Sequence, residues 1–367
     1  MAATKFAVIG GGWRAEFFVR AAAGAKAVLS CEGVTSRRRE RREELEQVAG
    51  VAAFASVDEA LDRDLDFVVL AVTREAAVPL LEELTEKGSL PVLLETPPGL
   101  EVAELRRAWE ISLRGARAQV AEQYRWQPHH AARLAVLNKG VIGERYQALV
   151  SVAHGYHAAS LFREYLGVDD GNWLELSVTA CKLSSPVLPG PGRYGPSESP
   201  GPVVSDRTVA VLTDGQKHAI YDFDGEQYFS EIRGQHVSVR GERGELVDDR
   251  FTYFPPGEHL RARQEDLIRY EGGRGGDLTR FRLDEVRFEG RAVYQAPGYL
   301  GAVSDEEAAI AQCLYHMGVY AETGEEFYPV ERACRDRYIE LAISASLEKK
   351  ATITFDVDGW KSGDVPW

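Results

Sequence analysis

Six residues near the start of the chain carry the first recognisable chemistry. Gly10-Gly11-Gly12-Trp13-Arg14-Ala15 has the spacing G-x-G-x-x-A, between an apolar run from Lys5 to Gly10 and a helical stretch from Trp13 to about Ala23. A pyrophosphate needs that context. Gly10 permits a tight turn, Gly12 lets the backbone approach a ligand, and Ala15 lets the helix pack closely on the strand. The amides near Trp13 and Arg14, with the helix dipole, then face the phosphates. The pattern in this setting points to dinucleotide binding rather than to a turn that is merely rich in glycine.

The end of the second strand bears on which dinucleotide. A carboxylate there would bind ribose hydroxyls and repel a 2′-phosphate. The sequence reads Val34-Thr35-Ser36, followed by Arg37, Arg38 and Arg39. A hydroxyl with guanidinium groups suits a 2′-phosphate, which favours NADP and keeps NAD as the alternative. Ser36, Arg37 and Arg38 are the candidate contacts. The same arginines also open a charged helix, where Arg39/Glu43 and Arg42/Glu46 have the spacing of i,i+4 pairs on a solvated face.

Bulk properties narrow the classes. The 367 residues suffice for two domains, and 44% hydrophobic with 27% charged residues is a globular composition. The net charge of −14 repels phosphate backbones, so no nucleic acid partner is expected, and an anionic cofactor needs a local positive pocket. No apolar run reaches membrane-span length. Met1 to Lys5 leads straight into a strand, so no leader, no membrane partner and a cytoplasmic location are expected. Cys31, Cys181, Cys313 and Cys334 lack paired metal spacing and are expected to be reduced, buried and without metal.

Strands and helices alternate through the first third. Strands are expected at Val28 to Thr35, Phe67 to Val72, Pro91 to Glu95 and Ala118 to Glu122, with helices at 38–49, 75–87 and 101–115. This alternation means a parallel, doubly wound sheet covered on both faces. Helices Pro128 to Lys139 and roughly His157 to Leu166 follow. Short runs at Thr208 to Leu212, His218 to Phe223, Tyr228 to Ile232 and His236 to Arg240 suggest an antiparallel sheet. Pro186 to Pro202 reads as a loop, either a lid or a plain insertion. A helix over about 329–349 and a strand from Ala351 to Val357 end the chain.

These residues resemble the Gfo/Idh/MocA family of oxidoreductases. The resemblance rests on the Gly10 to Ala15 turn, on Glu95-Thr96-Pro97 where the family has Glu-Lys-Pro, and on Glu122 to Pro128 followed by Gly140 to Glu144. It rests also on His157 to Gly167, which is similar to the family helix His-x-x-Asp-x-x-Arg-x-x-x-Gly, and on the closing helix from Tyr328 and Pro329. The resemblance implies an α/β fold: an N-terminal doubly wound Rossmann domain (1–122) and a C-terminal α+β domain with a mostly antiparallel open sheet (123–367) for substrate binding and oligomerisation. Thr73, Glu95 and Thr96 join the expected cofactor site. The departures are Thr96 for the family lysine, Ser160 and Ala153 for two aspartates, and a short connection from Gly143 to His157 that suggests a trimmed segment. A hydroxyl cannot supply the charge of an ammonium.

What the resemblance implies is hydride transfer between a nicotinamide and a hydroxyl or keto carbon of a sugar, glycoside or cyclitol, in a homodimer or homotetramer. An imidazole titrating near neutrality suits the accompanying proton transfer, so His157 is the candidate acid–base group. His154, one turn earlier if the helix extends that far, is either a second polar group at the site or a helix-entry residue. Tyr156, Tyr124 and Trp126 are aromatic candidates for either ligand contact or packing, and His129 and His130 are expected to be solvated or capping. The alternative function is a non-catalytic, dinucleotide-binding sensor or scaffold, towards which the missing lysine points.

Overall fold

The computed structural model describes residues 3–88, 90–169, 171–192, 195, 201–228, 230–363 and 365–367. In chain order the elements begin with β1 (Thr4–Ile9), α1 (Trp13–Ala23), β2 (Leu29–Thr35), α2 (Arg39–Ala49), β3 (Ala53–Phe54), α3 (Val57–Leu61), β4 (Phe67–Leu70), α4 (Arg74–Lys87), β5 (Val92–Leu94), α5 (Val102–Leu113), β6 (Ala118–Val120) and α6 (Pro128–Leu137). Then come β7 (Arg145–Ser151), α7 (Gly155–Leu166), β8 (Glu175–Val187), β9 (Val203–Thr213), β10 (His218–Asp224), β11 (His236–Gly241), β12 (Gly244–Val247), β13 (Arg250–Tyr253) and β14 (Arg263–Asp266). The last are β15 (Ile268–Glu271), β16 (Leu283–Phe288), β17 (Arg291–Gln295), α8 (Asp305–Thr323), α9 (Val330–Lys349) and β18 (Ile353–Asp356). Two compact units each join two stretches of chain: Met1–Ala132 with Ile268–Cys334, and Arg133–Leu267 with Arg335–Trp367.

The first unit contains a six-stranded sheet in the order β3-β2-β1-β4-β5-β6, parallel throughout. Phe6, Val8, Phe67, Val69 and Leu93 are wholly buried in it, which explains why these strands read as continuous apolar runs rather than alternations. Phe18, Ala21 and Ala22 of α1 and Ile310, Leu314 and Met317 of α8 share this core. The strand order reverses between β1 and β4, so the turn after β1 lies at the switch point where ligands of such sheets bind. A three-stranded sheet, β15-β16-β17, completes the unit.

The second unit is built on a nine-stranded sheet in the order β14-β13-β12-β11-β7-β10-β9-β8-β18. Among the described residues of this sheet, only β7 and β10 pair in parallel. One face carries Ala148, Val150, Leu212, Ala219, Val237 and Val239, all buried, and α7 packs against β7. The expected mostly antiparallel sheet is therefore present.

Several local expectations are corrected. Among the described residues of the expected strand at 228–232, Tyr228 and 230–232 form no strand, and residue 229 lies outside the described residues: Asp224 accepts from the Glu226 amide and turns the chain into a short helical turn at 225–227. Part of the expected loop at 186–202 is strand, because Pro186 and Val187 end β8 and pair with Val204 and Val203 of β9; residues 193–194 and 196–200 lie outside the described residues. The short connection from Gly143 to His157 contains β7 at 145–151, an element beyond the expected strands. The cysteines are free, but only Cys313 and Cys334 are buried, and Cys181 is exposed.

Candidate functional site

The turn after β1 is fixed by glycine geometry. Gly10 has φ of +137°, and a Cβ there would meet the Ala71 carbonyl oxygen at 2.0 Å. Its amide donates to Thr35 Oγ1 at 2.9 Å, which ties β1 to the end of β2. A Cβ on Gly11 would stand 2.9 Å from Ser36 Cβ, so Ser36 lies against the turn. Gly12 differs: it is exposed, and an added Cβ would meet nothing within 4 Å. Open space beside a backbone that starts a helix is what an approaching pyrophosphate requires. The amides of Ala15 and Glu16 turn back to the Gly12 carbonyl, which leaves Trp13 and Arg14 to head the first turn of α1.

The arginines after β2 divide their work. Arg37 and Arg38 are exposed, and Arg38 precedes α2 in extended conformation. The expected Arg39–Glu43 pair forms at 2.8 Å on the surface. The Arg42/Glu46 reading needs correction: Arg42 donates to the carbonyls of Ser36 (2.9 Å) and Arg37 (3.1 Å), while Glu46 accepts from the Ala53 amide. Arg42 thus shapes the backbone that presents Ser36. Arg41 adds a contact that its sequence neighbours do not announce. Its Nε donates to the Gly11 carbonyl at 2.8 Å, and it pairs with Glu16 of α1 and with Glu44. No carboxylate stands at residues 34–39, so the side chains here fit a phosphate-bearing dinucleotide.

Two further strand ends belong to the same unit. Thr73 precedes α4, exposed and without a side-chain cap bond. Glu95 follows β5 and forms an ion pair with Arg14 at 2.9 Å, while the Thr96 hydroxyl donates to the same Glu95 oxygen at 3.3 Å. The Thr96–Pro97 peptide is cis. Beyond β6, Gln123 (3.1 Å) and Gln127 both donate to Glu306 at the start of α8. Trp126 stacks on His316 at 4.5 Å and lies under Arg125; burial, with Arg125 nearby, holds the His316 imidazole below its ordinary pKa. Tyr124 is buried, and so is His130, contrary to the solvated or capping role expected of it.

The histidine helix stands in the second unit. α7 starts at Gly155, so His154 is the exposed residue that precedes the helix rather than a position one turn earlier within it. Gly155 is held by its amide's bond to Glu340 Oε1 at 3.1 Å. His157 is buried at 4% exposure, with its ring centroid 4.2 Å from that of Tyr156. The other residues of the pattern have structural employment. Ser160 Oγ donates to the His157 carbonyl at 2.9 Å, so it does not stand in for a carboxylate. Arg163 forms a buried pair with Asp336 at 2.7 Å. Gly167 ends the helix at φ of +63°. The His154 ring lies 5.6 Å from Tyr228 and 5.8 Å from Phe223.

A separate cleft of about 660 Å³ opens on the nine-stranded sheet, lined by Ser151, Arg207, Asp222, Asp224, Gln227 and His236 among others. It contains none of the candidate residues. Among the described residues no group of three or more His, Cys, Asp or Glu side chains is arranged to hold a metal, and no helix is long and apolar enough to cross a membrane.

Residues 4–122 match the family described as "Oxidoreductase family, NAD-binding Rossmann fold", GFO_IDH_MocA. That match spans about the first third of the chain, which over those residues is similar to the Gfo/Idh/MocA oxidoreductases. No curated protein matches it. Solved structures of similar fold include an oxidoreductase from Agrobacterium radiobacter in complex with NAD+, L-tartaric acid and magnesium (TM-score 0.69, 16% identity, covering 98% of this chain and 99% of that one). A myo-inositol dehydrogenase from Corynebacterium glutamicum gives TM-score 0.64 at 17% identity, over 97% of this chain and 99% of that one. A levoglucosan dehydrogenase in complex with NADH and levoglucosan gives 0.68 at 15%, over 97% and 100%. At these identities the likeness is one of fold. The matched segment holds the glycine turn, Ser36, the arginines after it, Thr73, Glu95 and Thr96; His154 and His157 lie beyond it.

Proposed function

We propose that the protein transfers a hydride between a nicotinamide dinucleotide and a hydroxyl or keto carbon of a sugar, glycoside or cyclitol, with residues 1–122 serving the cofactor and 123–367 the substrate. The observation that carries the cofactor half is the turn after β1, where Gly10 admits no side chain and Gly12 leaves its approach open. The sugar and cyclitol class draws support from the dehydrogenases of similar fold.

A bound nicotinamide supplies a two-electron hydride acceptor or donor. The rest of the chemistry falls to this chain. Gly12 and the first-turn amides of α1 hold the pyrophosphate, and Ser36, Arg37 and Arg38 hold a 2′-phosphate, so NADP is the preferred form. His157 accepts the substrate's hydroxyl proton at an imidazole nitrogen during oxidation and returns it during reduction.

Thr96 supports a second reading. A neutral side chain there, where the resemblance leads one to expect a lysine, fits a dinucleotide-binding sensor without turnover. Incubation with NADP or NAD and a broad panel of sugars and polyols, followed by absorbance of the reduced nicotinamide, separates the two. Substrate-dependent reduction supports the oxidoreductase. Binding of dinucleotide with no turnover across the panel favours the sensor.

A further inference from the structure

Arg14, Glu95 and Thr96 form one connected unit at the carboxyl edge of the parallel sheet. Arg14 is in the first turn of α1, directly after the glycine turn, while Glu95 and Thr96 follow β5. The guanidinium stands 2.9 Å from Glu95 Oε1 and 3.9 Å from Glu306 Oε1, and Glu306 is itself bound by Gln123 and Gln127. Arg14 also lies over the rings of Trp13, Phe17 and Phe18, at 5.5 to 5.9 Å. Its side chain is 16% exposed. A guanidinium enclosed by carboxylates and aromatic rings is a fixed positive charge.

Its effect passes to Thr96. A carboxylate offers only acceptors, so the Thr96 hydroxyl commits its proton to Glu95. The second Glu95 oxygen is buried and has no hydrogen-bond partner among the described residues, so this carboxylate depends on Arg14 for its compensation. With its proton spent, partly exposed Thr96 turns lone pairs, not a proton, towards a ligand.

Resting on the function proposed above, we infer that Arg14 is a positioning residue which, through Glu95, fixes Thr96 as a hydrogen-bond acceptor for a donor group of the ligand. That donor is an alcohol hydroxyl of the substrate or the carboxamide N–H of the nicotinamide. Both present the same chemistry, and the two arms of the test separate them.

The test uses the full-length protein and the variants Arg14→Met, Arg14→Lys, Thr96→Val and Arg14→Met/Thr96→Val. NADP(H) affinity is measured by calorimetry without substrate, the substrate KM is measured separately, and thermal melting reports folding. Thr96→Val and Arg14→Met should each weaken one of these by about tenfold, the scale of one lost hydrogen bond. The double variant should be little worse than either single one, because both break the same relay. Arg14→Lys should restore part of the loss. A deficit in dinucleotide affinity assigns the carboxamide, and a deficit confined to KM assigns the hydroxyl. Thr96→Val should melt like wild type, so that arm stands even where Arg14→Met is destabilised. Unchanged affinity and KM in Thr96→Val, or fully additive losses in the double variant, would overturn the inference while the proposed function stands. Wild-type protein that binds neither dinucleotide would overturn both.

Discussion

Arg41 in α2 donates from its Nε to the carbonyl of Gly11 at 2.8 Å, which clamps the second helix onto the first glycine turn. The same guanidinium pairs with Glu16 of α1. Arg41→Met should therefore loosen the turn from two sides. We expect a stability loss of about 1–2 kcal/mol, the scale for an unmade hydrogen bond to a charged group, and weaker dinucleotide binding. Thermal melting with calorimetric titration checks both. Unaltered dinucleotide affinity would show that the clamp does not shape the turn.

Two glycines of this turn should respond differently. Gly10→Ala places a Cβ against the Ala71 carbonyl at a positive φ, so it should cost about 2 kcal/mol or more in stability. Gly12→Val enters open space. It should leave stability within about 1 kcal/mol while obstructing the pyrophosphate. Normal dinucleotide binding by a folded Gly12→Val protein would show that the ligand does not approach there.

Cofactor choice should turn on Ser36, held against Gly11 and presented by Arg42. Ser36→Asp puts a negative charge where a 2′-phosphate is proposed to bind. NADP affinity should fall by about tenfold relative to NAD, equivalent to roughly 1.4 kcal/mol of repulsion. A preference that stays the same would mean that this side chain does not reach the ribose.

The glycine turn and the alternation of β1 to β6 were legible because their causes are local. A G-x-G-x-x-A turn, buried apolar strands and intervening helices announce themselves within a few residues. The start of α8 is also written locally, in the capping box of Ser304 and Glu307, although the acidic residues around it blur that signal. By contrast, the alternation in β7 is brief, and β8 runs through Pro186, which usually argues against a strand interior. The site's supports were beyond local reading. Arg41 meets Gly11 across 30 positions, and Gln127 meets Glu306 across 179. Arg163 reads in sequence as part of a functional helix, whereas its partner Asp336 is supplied by α9.

That buried pair gives a stability test. Asp336→Ala leaves the Arg163 guanidinium, in a side chain 5% exposed, without its carboxylate. The expected cost is about 3–5 kcal/mol. Arg163→Met combined with Asp336→Leu should recover much of that loss, since the pair contributes less than either unpaired charge costs. Denaturant melts of the three proteins decide it, and a single variant as stable as wild type would contradict the account.

His157→Ala addresses catalysis. Turnover on whichever substrate is found should fall by about 10²–10⁴-fold, the usual share of a positioned acid–base group, with dinucleotide affinity little changed. Steady-state rates together with binding titrations separate these effects. Full activity would remove His157 from the mechanism.

The central claim is that the turn from Gly10 to Ala15 binds a nicotinamide dinucleotide. Trp13 stands in that turn, part-exposed beside Gly12, and is one of six tryptophans, so the part of the emission change that Trp13→Phe removes is the local reporter. Titration of the wild-type protein with NADPH and with NADH, following tryptophan emission and its transfer to the nicotinamide, tests the claim most directly. The account predicts saturable quenching with both, tighter for NADPH, and its loss in Gly12→Val. No saturable change with either dinucleotide, up to millimolar concentrations, would contradict it.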